Sequence, residues 1–324
     1  MEKIAFKLFF EDKDITRDLS PFLLSLRYTD YASSQDDELE IELSNEDLRF
    51  LKSWYPEKGV KVKAFIGYEN NLLPCGEFEV EEIEFRSNPE TCTIKCISTH
   101  VSKKLRTKKT RAWENTTLFQ IVNEIAREHG LKPILQGEDI PVRRIDQNQQ
   151  TDANFLNELA KKFGYNFKVA GDKLVFVEAK SLEESEPVMT IKREGILSYE
   201  IADKARKIYR ACEVKYFDVQ KHKEMTYRYE LELPVGDTIR LSERVENLQQ
   251  AVKKAKAVLR NKNKNKAQIR IELVGNPSLT AGLTIKLQDF GIYDGKHFIE
   301  KSEHILGPFE GYKTFLEVRT CLNY

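Results

Sequence analysis

The side chains best able to do acid–base chemistry in this sequence are five histidines and many carboxylates. The histidines are scattered, at His100, His129, His222, His297 and His304. The sequence contains no G-x-S-x-G elbow, no H-E-x-x-H pair, no phosphate-binding loop and no paired-cysteine metal frame. His297 and His304 bracket an end strand near two glutamates, but histidines in such places are more often exposed or hydrogen-bonded. We therefore predict no catalytic residue, no metal site, no cofactor and no enzymatic activity.

A pair of carboxylates would be enough to hydrolyse a glycosidic bond. The chain has 52 Asp and Glu residues, so close pairs are expected by chance and do not identify a hydrolase. The same carboxylates do not exclude a hydrolase either, so a peptidoglycan hydrolase is the alternative to a non-enzymatic protein.

The five cysteines suggest core positions. Cys92 and Cys96 share one face of an apparent strand, roughly 13 Å apart, which is too far for a disulfide bond. We predict that both are buried thiols.

Composition excludes some classes of protein. The chain has 324 residues with 52 basic and 52 acidic side chains, whereas a protein that mainly grips nucleic acid usually has a basic surplus. The sequence shows neither a signal peptide nor an apolar run of about 20 residues, so we expect synthesis in a cytoplasm and no membrane span. The length indicates two or three domains.

Apolar residues recur with a period of two over the first hundred residues, which predicts strands, with room for a bulge between Val80 and Ile83. From residue 105 to 180 the pattern predicts a small α+β domain. Thr117 and Gln120 form a capping box before one helix, Gly164 ends a second helix, and a hairpin turns at Ala170–Asp172. We read residues 102–111 as a basic connector and 136–150 as a loop.

The last part of the chain, residues 181–324, again reads as β, with one inserted helix at about 242–261. Its narrow apolar seam fits packing on its own barrel or against another chain. The predicted fold is therefore mainly β with α+β: two β-barrels, at 1–104 and 181–324, around the middle domain at 105–180.

The two β-rich ends resemble each other. Gly59–Lys63 is echoed by Gly282–Lys286, and Gly76–Glu81 by Gly295–Glu300. The closing strand Thr91–Lys95 is echoed by Thr314–Val318. Two similar barrels in one chain would allow three chains to form a ring of six similar barrels.

Several segments form an ordered set of motifs along the chain: Thr116–Leu131, Thr151–Ala160 followed by Phe163–Gly164, the hairpin strand Lys173–Phe176, Leu279–Gly282, Gly295–Ile299 with His304, and Gly311–Thr314. In this order and spacing they resemble the late control protein D family, the baseplate hub proteins of contractile phage tails. The family is related to the hub part of the valine–glycine repeat proteins of type VI secretion.

The resemblance implies a virion structural protein of a contractile injection system, located in the tail baseplate and assembled in the bacterial cytoplasm. It implies a homotrimer whose pseudo-six-fold ring of tail-tube-like barrels joins the tail tube to the central spike. The implied partners are the tail tube protein, a separate spike protein, the tape-measure protein and the baseplate wedge proteins. A spike on a separate chain is expected because this sequence stops after the second barrel. The hydrolase alternative becomes a tail-tip peptidoglycan hydrolase.

Charged runs are the remaining feature that could serve assembly. Acidic runs lie at 36–47 and 77–84, and basic runs at 103–111 and 253–266. They fit solvated surface, opposite charges that meet across subunit boundaries, or a basic lining for a DNA channel; the last would hinder DNA ejection. We expect no specific nucleic-acid binding. The candidate contacts between chains or with tube and spike are Asp36, Asp37, Glu38, Glu79, Glu81, Lys253, Lys254 and Arg260.

Overall fold

The structure is a computed structural model that describes residues 2–33, 35–98, 105, 107–203, 208–218, 221–242, 245–264, 267–322 and 324. Over these residues the protein is mainly β with a smaller helical content, so the predicted fold class is confirmed. No helix in these ranges has the length and apolar character needed to cross a membrane.

The alternating residues at the start of the chain form strands with one buried face. In the strand Glu38–Ser44, Leu39, Ile41 and Leu43 are buried while the glutamates between them are not. The elements of this part are β1 (Ile4–Phe10), β2 (Lys13–Asp14), α1 (Thr16–Leu19), β3 (Leu23–Tyr31), β4 (Glu38–Ser44), β5 (Lys61–Tyr68), β6 (Asn71–Arg86) and β7 (Thr91–Ser98), with a 3-10 turn at Arg49–Leu51.

The middle of the chain contains two well-capped helices. The Thr117 hydroxyl accepts from the Gln120 N–H, and the Gln120 side-chain oxygen accepts from the Thr117 N–H, which confirms the predicted capping box. Gly164 ends the second helix in the left-handed conformation, at φ 81°. The elements are β8 (Lys108–Thr117), α2 (Leu118–Glu128), β9 (Lys132–Gln136), β10 (Pro141–Thr151), α3 (Asp152–Phe163), β11 (Tyr165–Ala170) and β12 (Lys173–Glu178). Their apolar side chains form a separate core.

The last part adds strands at both of its ends and an inserted layer between them. The elements are α4 (Ala179–Glu184), β13 (Thr190–Lys192), β14 (Ser198–Asp203), β15 (Tyr209–Asp218), β16 (Lys223–Glu230), β17 (Asp237–Arg240), α5 (Leu248–Asn263), β18 (Ala267–Val274), β19 (Thr284–Gln288), β20 (Gly295–Gly307) and β21 (Gly311–Thr320), with 3-10 turns at Arg193–Gly195 and Gly291–Tyr293. The strands β15, β16 and β17 form their own small sheet, and α5 packs on it.

One sheet of 13 strands runs through both ends of the chain. In the first end the order is β3-β4-β7-β6-β5-β1, and in the second it is β14-β18-β21-β20-β19-β13. The six strands of each set can be ranked by their order along the chain. Strands of equal rank then occupy the same position in the two spatial orders. We call these two sets of strands unit 1 and unit 2; their common order confirms the predicted likeness of the two ends.

A glycine clamp has the same geometry in both units. The Gly59 N–H donates to the carbonyl oxygen of Val80 (2.8 Å), and the Gly282 N–H donates to that of Ile299 (2.9 Å). Both glycines have a positive φ, 83° and 87°, a conformation that glycine adopts without steric cost. The equivalence predicted from the Gly59 and Gly282 segments is therefore confirmed in three dimensions.

A β-bulge follows the clamp in each unit. The pairing of β6 with β7 shifts register between Val80 and Glu82, and that of β20 with β21 shifts between Ile299 and Lys301. The predicted bulge in β6 is present, and it recurs at the equivalent place in β20. A bulge bends its strand and sharpens the twist, so both units turn at the same point.

The structure corrects four local predictions. Cys96 and Val318 pair with the equivalent residues Val80 and Ile299, so the alignment of the closing strands was wrong by one residue. The predicted connector and loop overlap β8 and β10, which pair with each other and bury Trp113 and Gln147. The inserted helix begins at 248 rather than about 242, because the Asn247 side chain caps it.

Candidate functional site: joints and charged clusters

Unit 1 and unit 2 are joined by the pairing of β3 with β20. The strands run antiparallel, with Leu26–Tyr31 opposite Lys301–Leu306. Beneath the joint, buried His304 lies 2.7 Å from the Tyr312 hydroxyl through Nδ1 and 3.0 Å from the Leu279 carbonyl oxygen through Nε2. Burial lowers the pKa of His304 to about 4, so this histidine is neutral at neutral pH and serves packing.

A second joint connects the middle of the chain to both units. The Lys168 ammonium on β11 donates to the carboxylates of Asp30 and Asp37 and to the Tyr31 carbonyl oxygen. Asp30 also accepts the Ala281 N–H from unit 2, at 2.8 Å. Three parts of the chain thus meet at one buried ion cluster, and breaking a buried cluster of this kind is strongly destabilising.

Asp37, one of the predicted contact residues, is part of that joint. Its carboxylate is buried and lies 2.9 Å from the Lys168 ammonium. Burial raises the pKa of Asp37 to about 6, although the Lys168 charge opposes the shift. Its visible role is internal, at the contact between β11 and unit 1.

The other acidic candidates lie nearer to solvent. Asp36, Glu38 and Glu81 are exposed and line a groove of about 540 Å³ between unit 1 and the start of α3. Glu79 is half-buried and pairs with Lys61 in the β5–β6 register. Asp37 also lines this groove, so the structure brings four of the five acidic candidates to it, and three of them are exposed.

The basic candidates on α5 face the inside of the chain. Lys253 is within 3.0 Å of Glu138 and 2.8 Å of Glu178, and Lys254 is buried. These contacts attach α5 to the middle of the chain. Of the remaining basic runs, Lys103, Lys104, Arg106 and Lys266 lie outside the described residues.

Arg260 belongs to a buried network on the other side of α5. Its guanidinium lies 2.6 Å from Glu183, which also binds Arg319 at 2.8 Å. Arg319 in turn donates to Glu300, the bulge residue of β20, at 2.7 Å. Burial opposes ionisation of Glu183, but the two arginines outweigh it and hold its pKa below the ordinary range.

The sequence reasoning missed a buried carboxylate at the start of α3. Asp152 is fully buried. Its carboxylate lies 2.6 Å from the Lys109 ammonium, 2.8 Å from the Arg111 guanidinium and 2.7 Å from His129 Nε2. Burial raises the pKa of Asp152, yet the hydrogen bonds from Lys109 and its neighbours lower it overall. The only local signal was an acid directly after the helix-capping Thr151, in a segment facing a basic run.

This cluster has the spacing of a metal site but the wrong charge balance. Ligand atoms of Glu128, His129 and Asp152 lie within 4.8 Å of one another. Lys109 and Arg111 already neutralise both carboxylates, at 2.6–2.8 Å. A divalent cation would therefore meet two positive charges, so the arrangement is an ion-pair network that fixes α2, α3 and β8 to one another.

The remaining reactive side chains have structural surroundings. His297 is buried and its Nδ1 lies 3.1 Å from the Gly295 carbonyl oxygen. Cys92 and Cys96 are buried thiols on β7, as predicted, and burial raises the pKa of Cys96 to about 12. Neither type of group stands next to an exposed nucleophile or base in the contacts of the described residues.

The fold resembles that of a known tail protein. The structure superposes on the tail protein from Neisseria meningitidis MC58 with a TM-score of 0.73, over 98% of this chain and 97% of that one, at 15% sequence identity. At this identity the likeness concerns the fold alone.

Two proteins with similar sequences are described as probable baseplate hub proteins. The chain is 32% identical to the probable baseplate hub protein of Escherichia phage 186 over 226 residues, 68% of this chain and 57% of the relative. It is 35% identical to that of Escherichia phage P2 over 179 residues, 54% of this chain and 45% of the relative. The chain thus spans about half the length of these relatives, and no family model matches it. These identities confirm the resemblance found in the sequence: the chain is similar to the baseplate hub proteins of phage tails.

Proposed function

We propose that three copies of this chain form a ring of six similar β units that joins the tail tube to the central spike. The observation that carries the proposal is the shared strand order of unit 1 and unit 2 within one continuous sheet. Such a ring would be six-fold in the shape of its units and three-fold in their sequence. It could therefore match a six-fold tube on one face and a three-fold spike on the other.

The division of the chain supports a structural role. We propose that residues 1–104 and 181–324 supply the ring and that 105–180 form a flanking domain. The buried cluster around Asp30 joins these parts to one another. The clusters around Asp152 and Glu183 hold the middle part and the last part together internally. Rigid attachment suits a protein that transmits load between tube and spike, with tape-measure and wedge proteins as further partners.

Two exposed apolar side chains are candidates for contacts with tube and spike. Ile292 is 89% exposed in the turn before β20, and Phe309 is 90% exposed in the turn after it. β20 has 13 residues, so the turns lie about 40 Å apart along the strand. We propose that they face opposite neighbours in the tail, with Asp36, Glu38 and Glu81 as polar contacts from the groove.

Ile292→Ser and Phe309→Ser test the assignment of the two ends. Each exposed change should leave folding intact and weaken binding to one partner only, the tail tube protein in one case and the spike protein in the other. Pull-down of each variant with each partner measures this. Loss of the same partner by both variants would contradict opposed ends.

The mass of the full chain in solution tests the ring. Light scattering on the chain alone, and on the chain with its spike protein, should give three times the chain mass in at least one condition. A monomer in both would sink the proposal.

The hydrolase alternative has its own test. A non-enzymatic hub should leave peptidoglycan intact in a turbidity assay, even at high protein concentration. Clearing that is abolished by a single carboxylate-to-amide change would establish the hydrolase instead.

A further inference from the structure

We propose that neighbouring copies join by pairing the second half of β6 in one chain with the free edge of β14 in the next. This inference rests on the proposed ring and deepens it, because it names the joint between copies. It follows from the joint that already exists between unit 1 and unit 2 inside the chain.

Inside the chain, β20 has two partners on one of its edges. Before the bulge this edge pairs with β19, and after the bulge it pairs with β3. The equivalent strand β6 pairs with β5 before its bulge. After the bulge, Glu82–Arg86 pairs with β7 on the other edge, and no described strand covers this one.

The matching free strand edge lies on unit 2. In unit 1, β3 pairs with β4 on one edge and with β20 on the other. Its equivalent, β14, pairs only with β18 among the strands that the structure describes. Each chain therefore carries one free edge of each kind, which is what a head-to-tail ring requires.

The internal symmetry also gives the register. β3 and β14 are matched by Ser25 and Ser198, which donate to Glu42 and Glu272 on the next strand. Lys301 and Glu82, the residues after the two bulges, match β20 to β6. Transfer of the β3–β20 register then sets Glu84 opposite Ala202, Phe85 opposite Ile201 and Arg86 opposite Glu200 of the next copy.

The transferred register pairs complementary side chains. Arg86 and Glu200 have opposite charges, and their side chains are 65% and 69% exposed in the single chain. Phe85 and Ile201 are partly buried apolar residues at the rims of the two unit cores. They take the places of His304 and Tyr28, which pack together at the internal joint.

The occupant of these edges is therefore a second copy of the chain. An uncovered strand edge is a site of unwanted pairing that proteins normally cover, and strand addition supplies main-chain hydrogen bonds as well as side-chain selectivity. The existing β3–β20 joint shows that the two unit surfaces fit when paired in this way.

A cysteine pair tests the joint. The full chain carries Cys321→Ser, which leaves only buried thiols, together with Glu84→Cys and Ala202→Cys. Directly opposite positions have Cβ atoms about 4.5–5.5 Å apart, next to the range of about 3.5–4.5 Å in a disulfide, so oxidation should convert the ring into a covalent trimer. The control combines Glu84→Cys with Asp203→Cys; a shift of one residue puts the thiols on opposite faces, and it should not cross-link.

The possible outcomes separate the joint from the ring. Covalent trimer from the Glu84/Ala202 pair alone supports both. A trimeric native mass without that cross-link, or with equal cross-linking of the control, overturns the joint and leaves the ring. A chain that stays monomeric over the whole concentration range and with its spike protein, and does not cross-link, overturns both.

Discussion

Unit 1 and unit 2 share their strand order but differ in what fills the connection between their second and third strands. In unit 1, β3 and β4 are linked by residues 32–37, whereas in unit 2 the link from β14 to β18 contains a three-stranded sheet and α5. The first strand also differs, since β1 is antiparallel to β5 and β13 is parallel to β19. The shared part is the meander of long strands with its clamp and bulge, and this is the part that a ring would reuse six times.

The two edges of the repeat differ in charge, and this difference specifies which edges pair. Arg27 on β3 faces Glu40, while its equivalent on β14 is Glu200, which faces Arg270. Arg86 on β6 would therefore meet an acid on β14 but another arginine on β3. Repulsion at the wrong edge selects partners as effectively as attraction at the right one.

The largest expected effect on stability comes from breaking the buried network at the bulge of unit 2, which has no equivalent in the described contacts of Glu81, the exposed bulge residue of unit 1. Glu183→Ala would leave Arg260 and Arg319 buried without their shared carboxylate, which should lower the free energy of unfolding by about 3–5 kcal/mol. Glu81→Ala, at the equivalent and exposed bulge of unit 1, should change it by less than about 0.5 kcal/mol. Urea denaturation of both variants measures this difference. Similar losses in the free energy of unfolding would show that the two bulges contribute equally to stability.

The same network has a defined pH dependence. The pKa of Glu183 is lowered in the folded state, so its stabilisation is present above the ordinary carboxyl range and is lost as pH falls through the folded value. The acid-side decline in stability should therefore be shallower in Glu183→Ala than in the unaltered chain.

These contrasts show which features the sequence could reveal. The capping box at Thr117, the buried cysteines of β7 and the β6 bulge each rest on residues close together in sequence. The likeness of the two ends rests on short motifs that can be compared without knowing which residues touch. The partners of Lys253 and Arg260 were hidden because they lie some 75 or more positions away, at Glu178 and Glu183. Local charge runs look like solvated surface until the fold brings their partners to them.

The failures have equally local causes. The sequence predicts a connector and a loop at β8 and β10 because charged and amide side chains mask the alternation of these strands, which pair with each other. The closing strands were misaligned because strands of period two match one another at many offsets, and only the bulge fixes the register.

A second difference between the units concerns Asp37, which lies in the short link between β3 and β4. The corresponding link of unit 2 holds the inserted sheet and α5. The pKa of Asp37 is about 6, raised chiefly by burial. An acid with a raised folded pKa stabilises least when ionised, so stability should fall by on the order of 1–3 kcal/mol as pH rises from about 4 to about 6. Asp37→Asn should remove this decline while Asp36→Asn, at the exposed neighbour, should keep it. An unchanged profile in Asp37→Asn would show that Lys168 keeps Asp37 ionised.

The glycine clamp offers a direct test of equivalence. Gly59→Ala and Gly282→Ala place a side chain at φ 83° and 87°, where an L-residue costs roughly 1–2 kcal/mol. The added methyl group meets only the Glu79 carboxylate at 3.6 Å in the first case and open space in the second. Both losses in the free energy of unfolding should therefore agree; a loss confined to one unit would mean that the clamps serve different purposes.

The smallest expected effect sharpens the comparison most, because it asks whether edge charge selects the partner. Arg86→Glu and Glu200→Arg each place like charges opposite one another across the proposed joint, which costs up to about 1 kcal/mol, or about fivefold in affinity per joint. Arg86 also lies 2.9 Å from Glu84, and Glu200 lies 3.7 Å from Arg270, so each single change alters a contact within its own chain. The double variant repeats both alterations but restores opposite charges between copies. Sedimentation should therefore show trimer weakened by either change and recovered by both together, and a double variant as weak as the singles would assign the loss to those internal contacts.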